Sequence, residues 1–177
     1  RMNGTCAGGT GAFIDQMATL LNITVDELDT LSLDAGRLYP IASRCGVFAK
    51  TDIQPLLNQG ARKEDVAASI YQAVVNQTIA GLAQGKKIEG KVLFLGGPLY
   101  YCKGLGLRFK KTLNLDDEHA IFPEYGRYAV ALGASYFAEK QQDTYTIDSL
   151  IKAVENAGAV SSGKGRLRPL FANDDEY

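Results

Sequence analysis

Apolar residues recur at helical spacing at Phe13, Met17, Leu20 and Leu21, directly after the glycine-rich stretch Asn3–Gly11. That pattern predicts a loop joined to a helix N-terminus. Thr24 followed by Glu27 is a capping-box spelling and starts a second short helix that ends near Ser32. Residues 34–46 read as loop, since Gly36, Pro40 and Gly46 interrupt any sustained period. Thr51 or Asp52 can cap a helix to about Asn58, with Pro55 in its first turn. Residues 64–84 carry the longest helical pattern, with Val66, Ile70 and Val74 on one stripe and Val75, Ile79 and Leu82 on another, so this helix is predicted to be largely buried.

The second half alternates between the two periods. Lys91–Leu95 (KVLFL) is a nearly continuous apolar run stopped by Gly96-Gly97-Pro98, the pattern of an interior strand of a parallel sheet. Residues 105–113 are helical in period, 120–122 form a further short strand, and 124–140 read as a helix rich in small residues that allow close packing. An amphipathic helix over 147–157 comes last, and Ser161–Gly165 with the acidic end of the chain reads as linker. The fold class is therefore α/β and helix-rich.

Composition narrows the possible functions. The 177 residues are 46% hydrophobic and 22% charged, and 19 Lys+Arg against 20 Asp+Glu leave a net charge of −1. That balance lacks the basic excess of a nucleic-acid-binding module. No apolar run approaches the ~18 residues of a membrane helix, and no secretory signal pattern is present, so a cytoplasmic protein is expected, with neither nucleic-acid nor membrane partners. Three cysteines, Cys6, Cys45 and Cys102, are too few and too scattered for a disulfide framework.

Three groups of residues could carry chemistry. Cys6 lies among Gly8, Gly9 and Gly11 ahead of a helix, where backbone N–H groups can face an anion and the dipole lowers a thiol pKa; a tight turn with a buried cysteine fits the spelling equally well. Two cysteines cannot complete a four-ligand cluster, but two copies of Cys6 and Cys45 about a two-fold axis supply four thiolates. Cys102 is the least favoured ligand. At Gly96-Gly97-Pro98, the carboxyl end of a strand meets a turn where a ring or sugar can approach the main chain, although such turns are common. No Gly-Lys-Ser/Thr follows, so this is not a P-loop. His119, the only histidine, reads as a surface or turn residue, and Asp15 and Asp52 as solvated positions or caps. No catalytic residue is assigned.

Four ordered blocks, NGTCAGGTGAFIDQMA from Asn3, SRCGVFAKTD from Ser43, VLFLGGPL from Val92 and PEYGRYAVALGASYFA from Pro123, resemble the BadF/BadG/BcrA/BcrD ATPase family. This family includes activators of 2-hydroxyacyl-CoA dehydratases and ATP-binding subunits of benzoyl-CoA reductase. The GGPL spelling and the tail look closest to the long CoA-substrate-specific enzyme activases of anaerobic bacteria. The resemblance implies a ribonuclease-H-like lobe of the actin/Hsp70/sugar-kinase fold, with residues 1–140 the C-terminal part of the ATPase domain and 141–177 a helix and linker. It implies a homodimer sharing one 4Fe-4S cluster on Cys6 and Cys45, and adenosine contacts at Gly96, Gly97 and Pro98. ATP with Mg, a dehydratase or reductase partner, and reduced ferredoxin or flavodoxin as donor follow from the same resemblance.

Gly8 departs from the family, standing where many relatives have Ala. The two acidic, glycine-rich phosphate loops of the family do not occur in the chain, so a piece that is inactive by itself is expected. Two rival readings are a sugar- or acetate-kinase-like phosphotransferase and a non-catalytic docking domain of a larger activase.

Overall fold

The computed structural model describes residues 11–42, 46–141 and 144–159. Helix α1 (Gly11–Leu20) is followed by α2 (Val25–Leu33), α3 (Gly46–Asn58) and the 21-residue α4 (Lys63–Ala83). Strand β1 (Val92–Leu93) then leads through α5 (Gly97–Tyr101) and α6 (Lys103–Thr112) to β2 (Ala120–Ile121). A 3₁₀ turn at Gly126–Tyr128 precedes α7 (Ala129–Ala138), and α8 (Ile147–Ala159) closes the order. The chain divides into two compact units, one reaching Gly133 and the other starting at Ala134.

The first unit is organised around α4. Val66, Ala67, Ile70, Tyr71 and Val75 are fully buried, and α1, α2, α3 and α6 all pack on this helix. Leu28 from α2, Ile53 from α3, Ile14 from α1 and Leu105 from α6 complete one apolar cluster. Burial fades toward the end of α4, where Leu82 is 41% exposed. The chain leaves α4 through left-handed Gln84 (φ 48°) and Gly85 (φ 80°).

Two polar residues on the buried face of α4 hold the loop before α3. Asp65 accepts the backbone N–H groups of Gly36 (2.9 Å) and Arg37 (3.0 Å), and Ser69 Oγ accepts that of Tyr39 (2.8 Å). Both buried side chains thereby find partners. The capping box at α2 is present in both directions, Thr24 Oγ1 accepting from Glu27 N–H and the Glu27 carboxylate from Thr24 N–H.

Several elements differ from the sequence pattern. α3 begins at Gly46, well before Thr51, and Pro55 lies inside the helix rather than in its first turn. Asp52 does not cap α3; its carboxylate accepts the N–H of Ala42 at 2.7 Å and ties the preceding loop to the helix. The segment after Pro123 is a 3₁₀ turn and then α7, because Gly126 N–H closes onto Pro123 C=O at 2.9 Å before α-helical pairing starts. α7 buries none of its residues, although it has no charged side chain. Strands β1 and β2 pair in parallel, Val92 with Ala120 and Leu93 with Ile121, but Leu93 and Leu95 are 49% and 40% exposed rather than interior.

In the second unit, α8 carries Ile147, Leu150, Ile151 and Val154 at helical spacing, all exposed. Among the described residues no helix is long and apolar enough to cross a membrane.

Candidate functional site

Gly96 sits at φ 108°, ψ 163°, a region open to glycine and closed to side-chain-bearing residues. Its N–H donates to Gly126 C=O (3.0 Å), fastening the turn to the segment after β2, and its C=O accepts from Tyr100 N–H (3.0 Å) to start α5. Pro98 occupies the first turn of α5, where a missing N–H costs nothing. The VLFLGGP pattern therefore does fold as a strand, a glycine turn and a helix.

Gly97 and Pro98 face Gly11 across a narrow crevice. A Cβ built on Gly11 would stand 3.8 Å from Pro98 Cγ, so the start of α1 and the start of α5 are in van der Waals range. The crevice, about 210 Å³, is completed by Ile14 and Asp15 of α1, Val25 of α2, and Tyr101 and Cys102. The fold thus unites the described ends of two motifs far apart in sequence. Gly97 has open space around its Cβ direction, so a ligand can approach the main chain there. Among the described residues no Lys or Arg lines the crevice, and Asp15 is its one acid. Such walls suit an uncharged ring or sugar better than a phosphate.

Of the sequence-predicted site residues, Gly11, Gly96, Gly97 and Pro98 fall in this region. Cys6, Gly8, Gly9 and Cys45 lie outside the described residues. Gly46, which follows Cys45, approaches α1 closely: a Cβ there would meet Gln16 Oε1 at 2.9 Å. The helices that follow both cysteines in sequence therefore pack on one another.

Cys102 is a buried free thiol lining the crevice. Burial pushes its pKa up, and the carboxylates of Asp29, Asp26 and Asp15 add to the rise against an opposing contact from Tyr71. A protonated thiol is a poor nucleophile and a poor metal ligand. His119 is half-exposed and pairs with the Asp116 carboxylate (Nδ1 to Oδ1 2.6 Å), outside the crevice. Hydrogen bonds from His119 hold the Asp116 carboxyl below its usual range. Among the described residues no group of three or more His, Cys, Asp or Glu side chains could hold a metal ion.

Sequence reasoning passed over Arg127. Its guanidinium lies 4.8 Å from the Tyr100 ring centroid and 4.5 Å from that of Tyr128, and Nη1 donates to Tyr101 Oη at 2.9 Å. It straps α5 to the 3₁₀ turn, in addition to the Gly96–Gly126 bond. The only sequence signal was a lone Arg among the tyrosines of PEYGRY, which has no characteristic spacing.

Comparison with known proteins gives these features a context. The chain is 34% identical over 141 residues to the (R)-2-hydroxyglutaryl-CoA dehydratase activating ATPase of Acidaminococcus fermentans, covering 80% of this chain and 52% of that protein. It is 30% identical over 137 residues to the 2-hydroxyisocaproyl-CoA dehydratase activator of Clostridioides difficile, covering 77% and 50%. Among solved structures, the A. fermentans dehydratase component A superposes with a TM-score of 0.67 at 31% identity, over 76% of this chain and 50% of that one. The C. difficile activator with bound ADPNP does so with a TM-score of 0.64 at 26% identity, over 90% and 54%. The chain spans about half the length of the curated relatives it matches. The model of the BadF/BadG/BcrA/BcrD ATPase family matches residues 1–138, and the chain belongs to that family.

Proposed function

We propose that this chain is part of an ATP-dependent activator that delivers a low-potential electron to a 2-hydroxyacyl-CoA dehydratase or a related reductase. The crevice between α1 and α5 is the adenosine site. One observation carries this reading: Gly11 and Gly97-Pro98, the described ends of two family motifs, stand across one small, largely uncharged crevice. A relative of matching fold was solved with ADPNP bound. The lining supports recognition of the nucleoside, while phosphate and Mg contacts would come from elsewhere in the intact activator. The chain by itself is accordingly not expected to hydrolyse ATP.

In the same reading, Cys6 and Cys45 from two copies would supply the four thiolates of a shared 4Fe-4S cluster. When bound, that cluster supplies the electron passed to the partner, replenished by reduced ferredoxin or flavodoxin. The packing of α3 on α1 through Gly46 and Gln16 fits this ligand set, since each helix follows one of the cysteines. α1 is also a wall of the crevice, so adenosine seated in it would bear on the helix that leads from Cys6. That gives a direct mechanical route from nucleotide to cluster environment.

Two measurements test the reading. Anaerobic reconstitution with iron and sulfide, followed by iron counting and EPR after reduction, is expected to give about four irons per dimer, lost in Cys6→Ala and in Cys45→Ala. Iron that survives either substitution overturns the ligand assignment. Adenosine binding, followed by calorimetry, is expected to weaken at least tenfold in Gly97→Val, whose side chain fills the approach to the main chain. Equal affinity in that variant overturns the adenosine site.

A further inference from the structure

α5 separates two cavities. Gly97, Pro98 and Tyr101 line the crevice described above, whereas Leu99 and Tyr100 line a separate cavity of about 390 Å³ on the far side of the helix. Its other walls come from α6, through Lys103, Gly106, Leu107 and Lys110, and from Phe122 just after β2. A smaller depression of about 180 Å³ shares Leu99, Tyr100 and Phe122 and extends it toward Gly126, with the acidic Glu124 on its wall away from Lys103 and Lys110, which line only the larger cavity.

The floor of this cavity is rigid and aromatic. Phe122 stacks on Phe94 with ring centroids 4.6 Å apart and planes within 7°, and Phe94 in turn packs on Phe109 at 5.5 Å. Phe122 also rests directly on the backbone of α6, since a Cβ on Gly106 would meet its ring at 3.0 Å. Despite this anchoring Phe122 remains 42% exposed and Tyr100 40%. A fixed ring that faces solvent from a concave wall presents apolar surface to a ligand without first having to be ordered.

Two lysines, Lys103 and Lys110, line the cavity. α6 carries Lys103, Arg108, Lys110 and Lys111 and no acidic residue, in a chain whose net charge is −1. Lys110 is paired with Asp117. Lys103 is exposed and has no ion-pair partner among the described residues, so its charge is available at the mouth of the cavity. A preformed cavity of several hundred Å³ with apolar walls and one or two placed charges is the usual make-up of a small-molecule site.

We propose that this outer cavity binds a small amphiphilic anion, with a planar or short acyl apolar body against Phe122 and Tyr100 and its negative end on Lys103. The site stands apart from the adenosine crevice and does not depend on that assignment.

The test is a titration of the ¹⁵N-labelled chain with 2-naphthoate, compared with the neutral 2-naphthamide. Saturable shifts are expected at the amides of Leu99–Leu107 and Phe122. Affinity is expected to fall roughly three- to fivefold for the neutral amide and for Lys103→Gln, the range that loss of one exposed ion pair gives. No saturation at low-millimolar naphthoate, shifts confined to α7 or α8, or equal affinity of the acid, the amide and the variant would each overturn the proposal.

Discussion

The carboxylate of Asp29, in the middle of α2, accepts the backbone N–H groups that open α6, from Gly104 at 2.8 Å and from Lys103 at 3.0 Å. α6 has no side-chain cap of its own, because its N-cap residue is the buried Cys102. Asp29 supplies from another helix what a local Ser or Asp normally supplies, and its charge also suits the positive helix end. Asp29→Ala is expected to cost about 1–2 kcal/mol in urea unfolding, the range of cap removal. Asp29→Asn keeps an acceptor and is expected to recover part of that loss. If both substitutions were silent, the cross-helix cap would have no energetic role.

Gly104 makes this approach possible. A Cβ there would stand 1.9 Å from Ser32 Oγ and 3.1 Å from Tyr71 Cε2, so α2, α4 and α6 meet where only a glycine fits. Ser32 is itself held, donating to Asp29 C=O at 2.6 Å. Gly104→Ala is expected to destabilise by about 1–3 kcal/mol through overpacking, outweighing any gain in helix propensity. Gly104→Ala combined with Ser32→Ala is expected to recover part of the loss, since the nearest clash disappears. A thermal melt of the two variants measures this.

The capping box at α2 predicts a pH dependence. The Thr24 N–H, followed by the Thr24 side chain, lowers the Glu27 pKa in the folded protein below its unfolded value. A depressed carboxyl pKa contributes stability that is complete above the unfolded pKa of about 4.3 and is lost as pH falls through the folded value. The melting temperatures of wild type and Glu27→Gln should therefore differ most near neutral pH and converge in acid. A gap that widened in acid would contradict the assignment.

Cys102 and Tyr71 give a chemical prediction. The Tyr71 hydroxyl is buried beside Cys102 and Asp29 and has no hydrogen-bond partner among the described residues, and burial drives its pKa far above the ordinary phenol range. In a Cys6→Ser, Cys45→Ser background, Cys102 is expected to resist iodoacetamide in the native state and react fully after denaturation. Tyr71→Phe is expected to change stability by less than about 1 kcal/mol, because an unsatisfied hydroxyl is removed without loss of ring packing.

Pro55 is expected to be a site of easy stabilisation. It lies exposed inside α3, where it removes the N–H that would pair with Thr51 C=O. Pro55→Ala restores that bond in a helix that already exists, and is expected to raise the melting temperature. A lower melting temperature would mean that the restriction Pro55 places on the unfolded chain outweighs the lost bond.

Local pattern was enough for much of the fold. Thr24 with Glu27 marked the start of α2, the stripes through Val66, Ile70 and Val75 marked α4, and the apolar run into Gly96-Gly97-Pro98 marked a strand entering a helix through a glycine turn. These features rest on contacts between near neighbours in the chain, which sequence spacing encodes directly. The same holds for the family, since its motifs are short blocks in a fixed order.

Only the tertiary structure decided the rest. Nothing near Cys102 in sequence announces that Asp29 caps α6, and nothing near Asp65 or Ser69 says that they hold residues 36–39. Arg127 gains its role because β2 runs parallel to β1 and brings the following turn beside α5. α7 looked like a packed helix by composition, yet among the described residues none of its side chains is fully buried. The crevice between Gly11 and Pro98 belongs to this second kind. Each motif was legible by itself, but their meeting depends on how α1, α2 and α6 pack about α4, and a sequence period specifies which face of a helix is apolar without specifying what will cover it.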